Sequence, residues 1–333
     1  MSYGNVDLGL GTVSGGGGVG ADGYIGRYGP GVPGWVQRIV GPGEDKIVGS
    51  ASGPGSTIYG VGWFEATATF NGAQLTSVGG RDVFFSRFNA VTGTVDLTKQ
   101  YGGTGRDEIS GADSSGGALV LAGFFDDTLA FGGTAPEITS IGALDVWVAK
   151  FDTSGAGVWA VRFGGAGNDR NVKLGVDKAG DIYIAGEFQN QVAFGAFPLV
   201  SVGGIDAFIV KLHGNDGTVA WATSFGSAGD DGIWDVMVDA AGHVAVAGTV
   251  GGSLAGGPPS SDLDAVVAAF DAATGKPRWR NVYATALNDR ASALTLGRNG
   301  DVYACLSLGP GFDFGSPIIG ETNPASVLLR IAP

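Results

Sequence analysis

The sequence predicts an all-β fold built from one repeated unit. Three observations carry that prediction. An aspartate comes round five times, as Asp45, Asp107, Asp169, Asp231 and Asp289, at intervals of 62, 62, 62 and 58 residues. Each sits ten residues after a large apolar residue: Trp35, Leu97, Trp159, Trp221 or Trp279. Between them lie short apolar runs bounded by Gly, Asn, Asp or Pro, with no sustained period of 3.6, the pattern of hairpin-linked strands rather than helices.

One copy shows the elements in order. GIWDVMVDAAG (232–242) is a strand ending in a turn, and HVAVAGTV (243–250) is a second strand that pairs back on it. After a Gly/Pro-rich link, LDAVVAAFDAATG (263–275) supplies a third strand and KPRWRNVY (276–283) a fourth. The same four segments recur as NVKLGVDKAG, DIYIAGEF, IDAFIVKLHGNDG and VAWATSFG within residues 171–226. Third strands such as AFIVKL and VWVAKF are nearly continuous apolar runs, whereas a strand wetted on one face alternates. Four-stranded antiparallel sheets buried on both faces, repeating every ~61 residues around an axis, describe a β-propeller. Radial closure also removes the free edges that an open stack would carry. The chain thus reads as one propeller domain over 1–333, with a Gly-rich partial blade at 1–19 and repeats at about 20–80, 81–142, 143–204, 205–262 and 263–333.

Each repeated column has a structural use. The Trp column falls in the fourth strand, where each buried ring contributes an upper bound of about 4–6 kcal/mol from its ~150–250 Å² of apolar area. Gly62, Gly123, Gly186 and Gly248 end the second strands, where backbones approach or bend; Leu306 breaks that column, so the last blade should be irregular there. Asp22, Asp82, Asp145, Asp206 and Asp264 open the third strands as turn locks, each expected to bond backbone two residues on.

Composition narrows the function. Among 333 residues there are 63 glycines and 15% charged residues, but 44% hydrophobic content and a mean hydropathy of +0.20 exclude a disordered chain. A net charge of −13 argues against nucleic acid and for solubility, cations or basic partners. Cys305 is the single cysteine, so no intrachain disulfide forms, and it is expected as a small buried apolar residue in an inner strand. The sequence shows no membrane-spanning run and no signal-peptide pattern.

The stretches FGGAGND (163–169), DKAGDIYIAGEF (177–188) and SVGGIDAFIVKL (201–212) resemble the bacterial SBBP-type β-propeller repeat family, over about residues 20–332. That resemblance implies the propeller fold and a setting in large secreted or surface proteins; it implies no shared reaction. VVAAFDAATGKPRW (266–279) is also similar to a strand pair of quinone-cofactor propellers, but the other copies depart from it and no cofactor is expected. Third strands number six and the other three kinds five each, and NVDLGLG (5–11) matches a link that follows a second strand. Six blades, the first incomplete because the start is truncated, is the expected arrangement; five blades closing on the Trp35 strand is the alternative.

Candidate chemistry is sparse. GGTGRDEIS (102–110) fits the calcium nonapeptide pattern, yet its relatives lie about 62 residues apart and cannot share ions between adjacent turns. A second reading places Asp45, Asp107, Asp169, Asp231 and Asp289 at one end of the channel as a cation ring, with Ca2+ the ion that carboxylates and turn carbonyls would suit. Glu44–Asp45, Asp107–Glu108 and Asp230–Asp231 double the charge there. GGGGVG (15–20) follows no βαβ strand, and His213 and His243 alone build neither a zinc site nor a triad. Non-repeated residues after the second strands are the better lead: Trp63, Glu65, Glu187, Gln189, Asn190 and Gln191 are expected on a loop face that binds a ligand or partner.

These features favour a monomeric, non-enzymatic binding or adhesion scaffold for a protein or glycan, exported or attached to the cell surface in its full form. A carbohydrate-active hydrolase or lyase using the channel, and a purely structural repeat segment, are the alternatives.

Overall fold

The structure, a computed structural model, describes residues 6–7, 12–13, 22–29, 34–239, 242–252, 262–297, 301–310, 312 and 325–331. The Gly-rich motif at 15–20 lies outside them. Among the described residues all regular structure is β, and none forms a helix long and apolar enough to cross a membrane.

The strands follow the repeat. A short hairpin, β1 (Val6–Asp7) with β2 (Thr12–Val13), precedes the pair β3 (Gly23–Arg27) and β4 (Trp35–Val40). The first four-stranded blade is β5 (Asp45–Ser52), β6 (Thr57–Phe70), β7 (Ala73–Asn89) and β8 (Val95–Tyr101). The next has β9 (Asp107–Ser115) and β10 (Ala118–Phe125), the link hairpin β11 (Thr128–Leu129) and β12 (Ile138–Thr139), then β13 (Asp145–Phe151) and β14 (Gly157–Gly165). The third is β15 (Arg170–Val176), β16 (Ile182–Phe194), β17 (Phe197–Leu212) and β18 (Val219–Phe225). The fourth is β19 (Gly232–Val238), β20 (His243–Val250), β21 (Asp264–Asp271) and β22 (Pro277–Tyr283). A three-stranded sheet, β23 (Arg290–Leu296), β24 (Val302–Leu308) and β25 (Ala325–Ile331), follows. The architecture is all-β and antiparallel, of the propeller class.

By its packing the chain divides into two compact units, Met1–Ile141 with Val146–Arg162, and Gly142–Asp145 with Phe163–Pro333. In the first unit the sheets pack through aromatic rings: Phe85 meets Phe151 at 5.2 Å and Phe131 meets Trp147 at 5.0 Å between centroids. Trp35, Ile39, Phe64, Phe84 and Phe88 form a second cluster of that unit. In the second unit Tyr183, Ile209, Trp221, Ile233 and Val246 fill one interface, and Val267, Leu294, Ala304 and Leu306 another.

The links after the second strands differ from the expected loops. Thr67–Phe70 of β6 pairs with Ala73–Thr76 of β7 beyond the blade, and this extension joins the edge of β4 through Ile39↔Phe70 and Val40↔Thr69. The β16–β17 hairpin does the same at Gly164 and Gly165 of β14. The reason is apolar alternation within the link: Ala68, Phe70 and Leu75 are buried. The Gly column marks bulges. A Cβ on Gly123 would meet the Glu108 carbonyl and come within 2.8 Å of the Trp147 ring. Leu306 keeps the register shift, between Ala291 and Ala293, without the glycine. Cys305 is exposed rather than buried: β24 alternates, with Val302, Ala304, Leu306 and Leu308 turned to the core and Cys305 on the opposite face.

Candidate functional site

The two aspartate columns share one device. Asp107, Asp169, Asp231 and Asp289 each accept the N–H of the residue four positions earlier, Gly103, Gly165, Ser227 and Thr285, at 2.5–2.7 Å. Asp82 and Asp206 do the same with Val78 and Val202, at 3.2 and 2.9 Å. These bonds run backwards four residues, not forwards two as the turn chemistry predicts, because the Gly-rich stretch curls over the carboxyl. All five aspartates of the first-strand column are buried, and among the described residues no three His, Cys, Asp or Glu are grouped to hold a metal ion. Four of them sit beside a third-strand partner: Asp45 by Asp22, Asp107 by Asp82, Asp169 by Asp145 and Asp231 by Asp206. Burial first, then the neighbouring charge, raises Asp107 to about 7 and Asp231 to about 6 against backbone bonds that lower them.

A position three residues beyond the Gly column has its own repeated task. Glu65, Asp126 and Gln189 accept the N–H of Glu44, Arg106 and Asn168 at 3.5, 2.7 and 3.2 Å, capping the next turn. Ala66, Asp127 and Asn190 follow with φ of +57°, +66° and +63°, the left-handed residues of a bulge. Gln189 and Asn190 are therefore turn and bulge residues as well as candidates, while Gln191 lies exposed in the β16 extension against Val200.

Glu65 belongs to a place in the first unit where the columns are broken by charge. Arg81, just before the third-strand Asp82, donates Nε to Glu65 at 2.7 Å, Nη2 to Glu44 at 2.8 Å and Nη1 to Glu108. Arg106 donates Nε to Glu108 at 2.6 Å, and Lys46 pairs with Glu44 at 2.9 Å. Trp63 lies beneath them, with the Arg81 guanidinium 3.9 Å and the Lys46 ammonium 5.0 Å from its ring. Trp63 is only 3% exposed, so it supports the cations and cannot itself stack a ligand. Over this lattice opens a pocket of about 530 Å³ lined by Glu65, Ala66, Gly79, Gly80, Arg81 and Arg106. The hydrogen bond from Arg81 holds the Glu65 carboxyl below the usual glutamate range. Sequence reasoning found Trp63 and Glu65 but missed Arg81 and Arg106. The available signal was Arg81 itself, a cation where the other copies carry Leu144, Ile205 and Leu263.

Glu187 lies in the second unit, in a separate group. It is buried, accepts Asn171 Nδ2 at 2.7 Å and lies 3.6 Å from Arg170 Nε; burial raises its carboxyl pKa against those bonds. Lys173 is pushed down by burial, then partly restored by Asp235, and Asp235 is itself raised by burial. His213 and His243 face Asp181 and Asp239 in turns, at 3.6 and 2.8 Å.

No protein-family model and no curated protein matches the chain. Solved structures similar to it include a quinohemoprotein alcohol dehydrogenase from Comamonas testosteroni, at TM-score 0.39 and 15% identity, over 86% of this chain and 45% of that one. The Dos1 propeller is similar at TM-score 0.37 and 10% identity, over 78% and 65% of the two chains. The rhamnogalacturonan lyase PL11 of Bacillus licheniformis is similar at TM-score 0.30 and 11% identity, over 70% and 51%. The chain therefore spans less than two thirds of each of these proteins, and what it resembles in them is strands.

Proposed function

We propose that this chain is a non-enzymatic binding scaffold whose recognition site is the Arg81 pocket. The observation that carries the reading is the interlocked charge lattice. Each of Glu44, Glu65 and Glu108 is held by a cation, and all three Arg81 nitrogens are engaged. Such a lattice is pre-organised for hydrogen bonding and leaves no carboxyl free to act as acid or base. Its lining has no aromatic ring, which fits a polar protein loop better than a sugar needing a stacking face. The SBBP-type resemblance and the acidic surface support an exported or cell-surface setting and a monomer. Candidate partners pulled from surface-protein fractions should bind the full chain and lose about tenfold or more in affinity with Arg106→Ala or Glu65→Ala. Equal binding by both variants removes the pocket from the function.

A second reading, a carbohydrate-active hydrolase or lyase, rests on Glu187, Asp235 and Lys173, whose shifted ionisation is not repeated in the other blades. Turnover of a polysaccharide panel that vanishes in Glu187→Gln, with the fold intact, would move the conclusion to that reading.

A further inference from the structure

The Arg81 pocket has two open ends. Its charge lattice balances, with Lys46, Arg81 and Arg106 standing against Glu44, Glu65 and Glu108. The side chains differ in how much of each is already engaged. Arg81 is 22% exposed with its guanidinium nitrogens on carboxylates, and Glu108 is 11% exposed with one oxygen shared by two guanidinium groups. Arg106 and Glu65 are the outward members, at 45% and 37%. Arg106 places Nε and Nη2 on the same Glu108 oxygen, at 2.6 and 2.5 Å, and among the described residues its Nη1 has no acceptor. Glu65 receives Arg81 on Oε1, while its Oε2 takes only the Glu44 N–H at 3.5 Å, the outer limit of a hydrogen bond. One spare donor and one spare acceptor thus border the same pocket, and both lie in the first unit.

The rest of the lining adds no competing group. Ala66, Gly79 and Gly80 are exposed and carry at most a methyl, and the Gly80 N–H is already given to the Gly105 carbonyl at 2.9 Å. Recognition therefore falls to Arg106 and Glu65, and charge decides what they accept. A carboxylate suits Arg106 but lies against Glu65, and Asp126, which accepts the Arg106 backbone N–H at 2.7 Å, adds negative charge at that rim. An ammonium suits Glu65 but meets the Arg106 guanidinium and a carboxylate already paired with Arg81. In both cases a charge gives up water beside a lattice that is already neutralised, so its desolvation is not recovered. A carboxamide carries an acceptor and a donor on one planar group with no charge, and can meet both open ends at once.

We propose, on the reading that the Arg81 pocket is the recognition site, that the group it takes is the carboxamide of an asparagine or glutamine on a partner protein's loop. The carboxamide oxygen accepts from Arg106 Nη1 and its nitrogen donates to Glu65 Oε2.

The test titrates the full chain with three acetylated, amidated tripeptides, Gly-Gln-Gly, Gly-Glu-Gly and Gly-Lys-Gly, and follows the Arg106 Nε–Hε and Ala66 amide signals by NMR. Gln and Glu share one shape, so that pair isolates charge. The glutamine peptide should shift both signals saturably, with a dissociation constant of about millimolar order and at least about fivefold below that of either charged peptide. That affinity should change less than about twofold between ~50 and ~300 mM NaCl, since no net charge is brought in. Arg106→Lys keeps the charge but should still weaken the glutamine peptide about fivefold, because one ammonium cannot hold Glu108 and reach the carboxamide together. A glutamate or lysine peptide that binds as tightly overturns the carboxamide assignment while leaving the pocket as the recognition site. No shift of either signal by the glutamine peptide up to about 20 mM also overturns it, and the partner affinity of Arg106→Ala then judges the pocket separately. Shifts that persist unchanged in Arg106→Ala overturn both readings.

Discussion

Arg81 has three guanidinium nitrogens on three carboxylates, and Trp63 beneath its plane, so its loss strands several groups at once. The side chain is partly solvated, which reduces the cost below that of a fully buried pair. Arg81→Met should lower unfolding free energy by about 2–3 kcal/mol in urea titration and raise the Glu65 pKa seen by NMR. Arg81→Lys should not rescue, since one ammonium cannot span three partners. Immediately after Glu65, one of that side chain's partners, Ala66 holds φ at +57° where its counterparts are Asp127 and Asn190. Ala66→Gly is expected to stabilise by up to about 1 kcal/mol, read as a higher urea midpoint with unchanged slope. An unchanged midpoint would show that the bulge carries no strain.

At the level of elements, blades are joined by outer-strand rings inserted under the turn of the next blade. Trp221 Nε1 donates to the Ala272 carbonyl at 3.1 Å, and a Cβ on Gly275, whose φ is +69°, would come within 2.6 Å of that ring. Trp35 repeats the contact with the Ala90 carbonyl at 3.2 Å and with Gly93. Trp221→Ala should therefore cost about 3–5 kcal/mol by calorimetry or denaturant, and Gly275→Ala should destabilise without removing any apolar area. If Trp221→Ala costs under about 1 kcal/mol, the ring is not a joint between blades. The strands and the Trp, Gly and Asp columns were legible in the sequence because repetition itself exposes positions fixed by backbone geometry. The strand extensions after β6 and β16 were not, since their alternation is too short to stand out from a loop and gains meaning only against the edge it joins.

Across the whole molecule the buried aspartates set the response to pH. Asp45 and Asp107 are raised to about 7, and Asp82, Asp169 and Asp231 to about 6, in every case first by burial. The folded chain thus keeps protons that the unfolded chain releases above pH ~4. Stability from these groups is present below that value and is lost as pH rises through 6 to 7. Glu65, Asp152 and Asp181 are lowered and act in the opposite sense, losing their contribution in stronger acid. The melting temperature should peak in mild acid and fall toward pH 8, with the growing net negative charge adding to the fall. Asp82→Asn with Asp107→Asn should flatten that slope, because a neutral amide mimics the protonated pair. A melting temperature that rises from pH 5 to 8 would mean these carboxyls are ionised in the folded state.

The sequence by itself determined the class of fold, the strand inventory, the period and the places where glycine or aspartate recurs, because all of these follow from local backbone needs repeated down the chain. It singled out Trp63 and Glu65 by their departure from repetition. Only the tertiary structure decided that Trp63 is hidden under Arg81, that Glu44 and Glu108 turn onto the same guanidinium, and that Cys305 is not a core residue of its strand. Those outcomes depend on which strands lie side by side and which face finds a cover, and neither spacing nor composition encodes them.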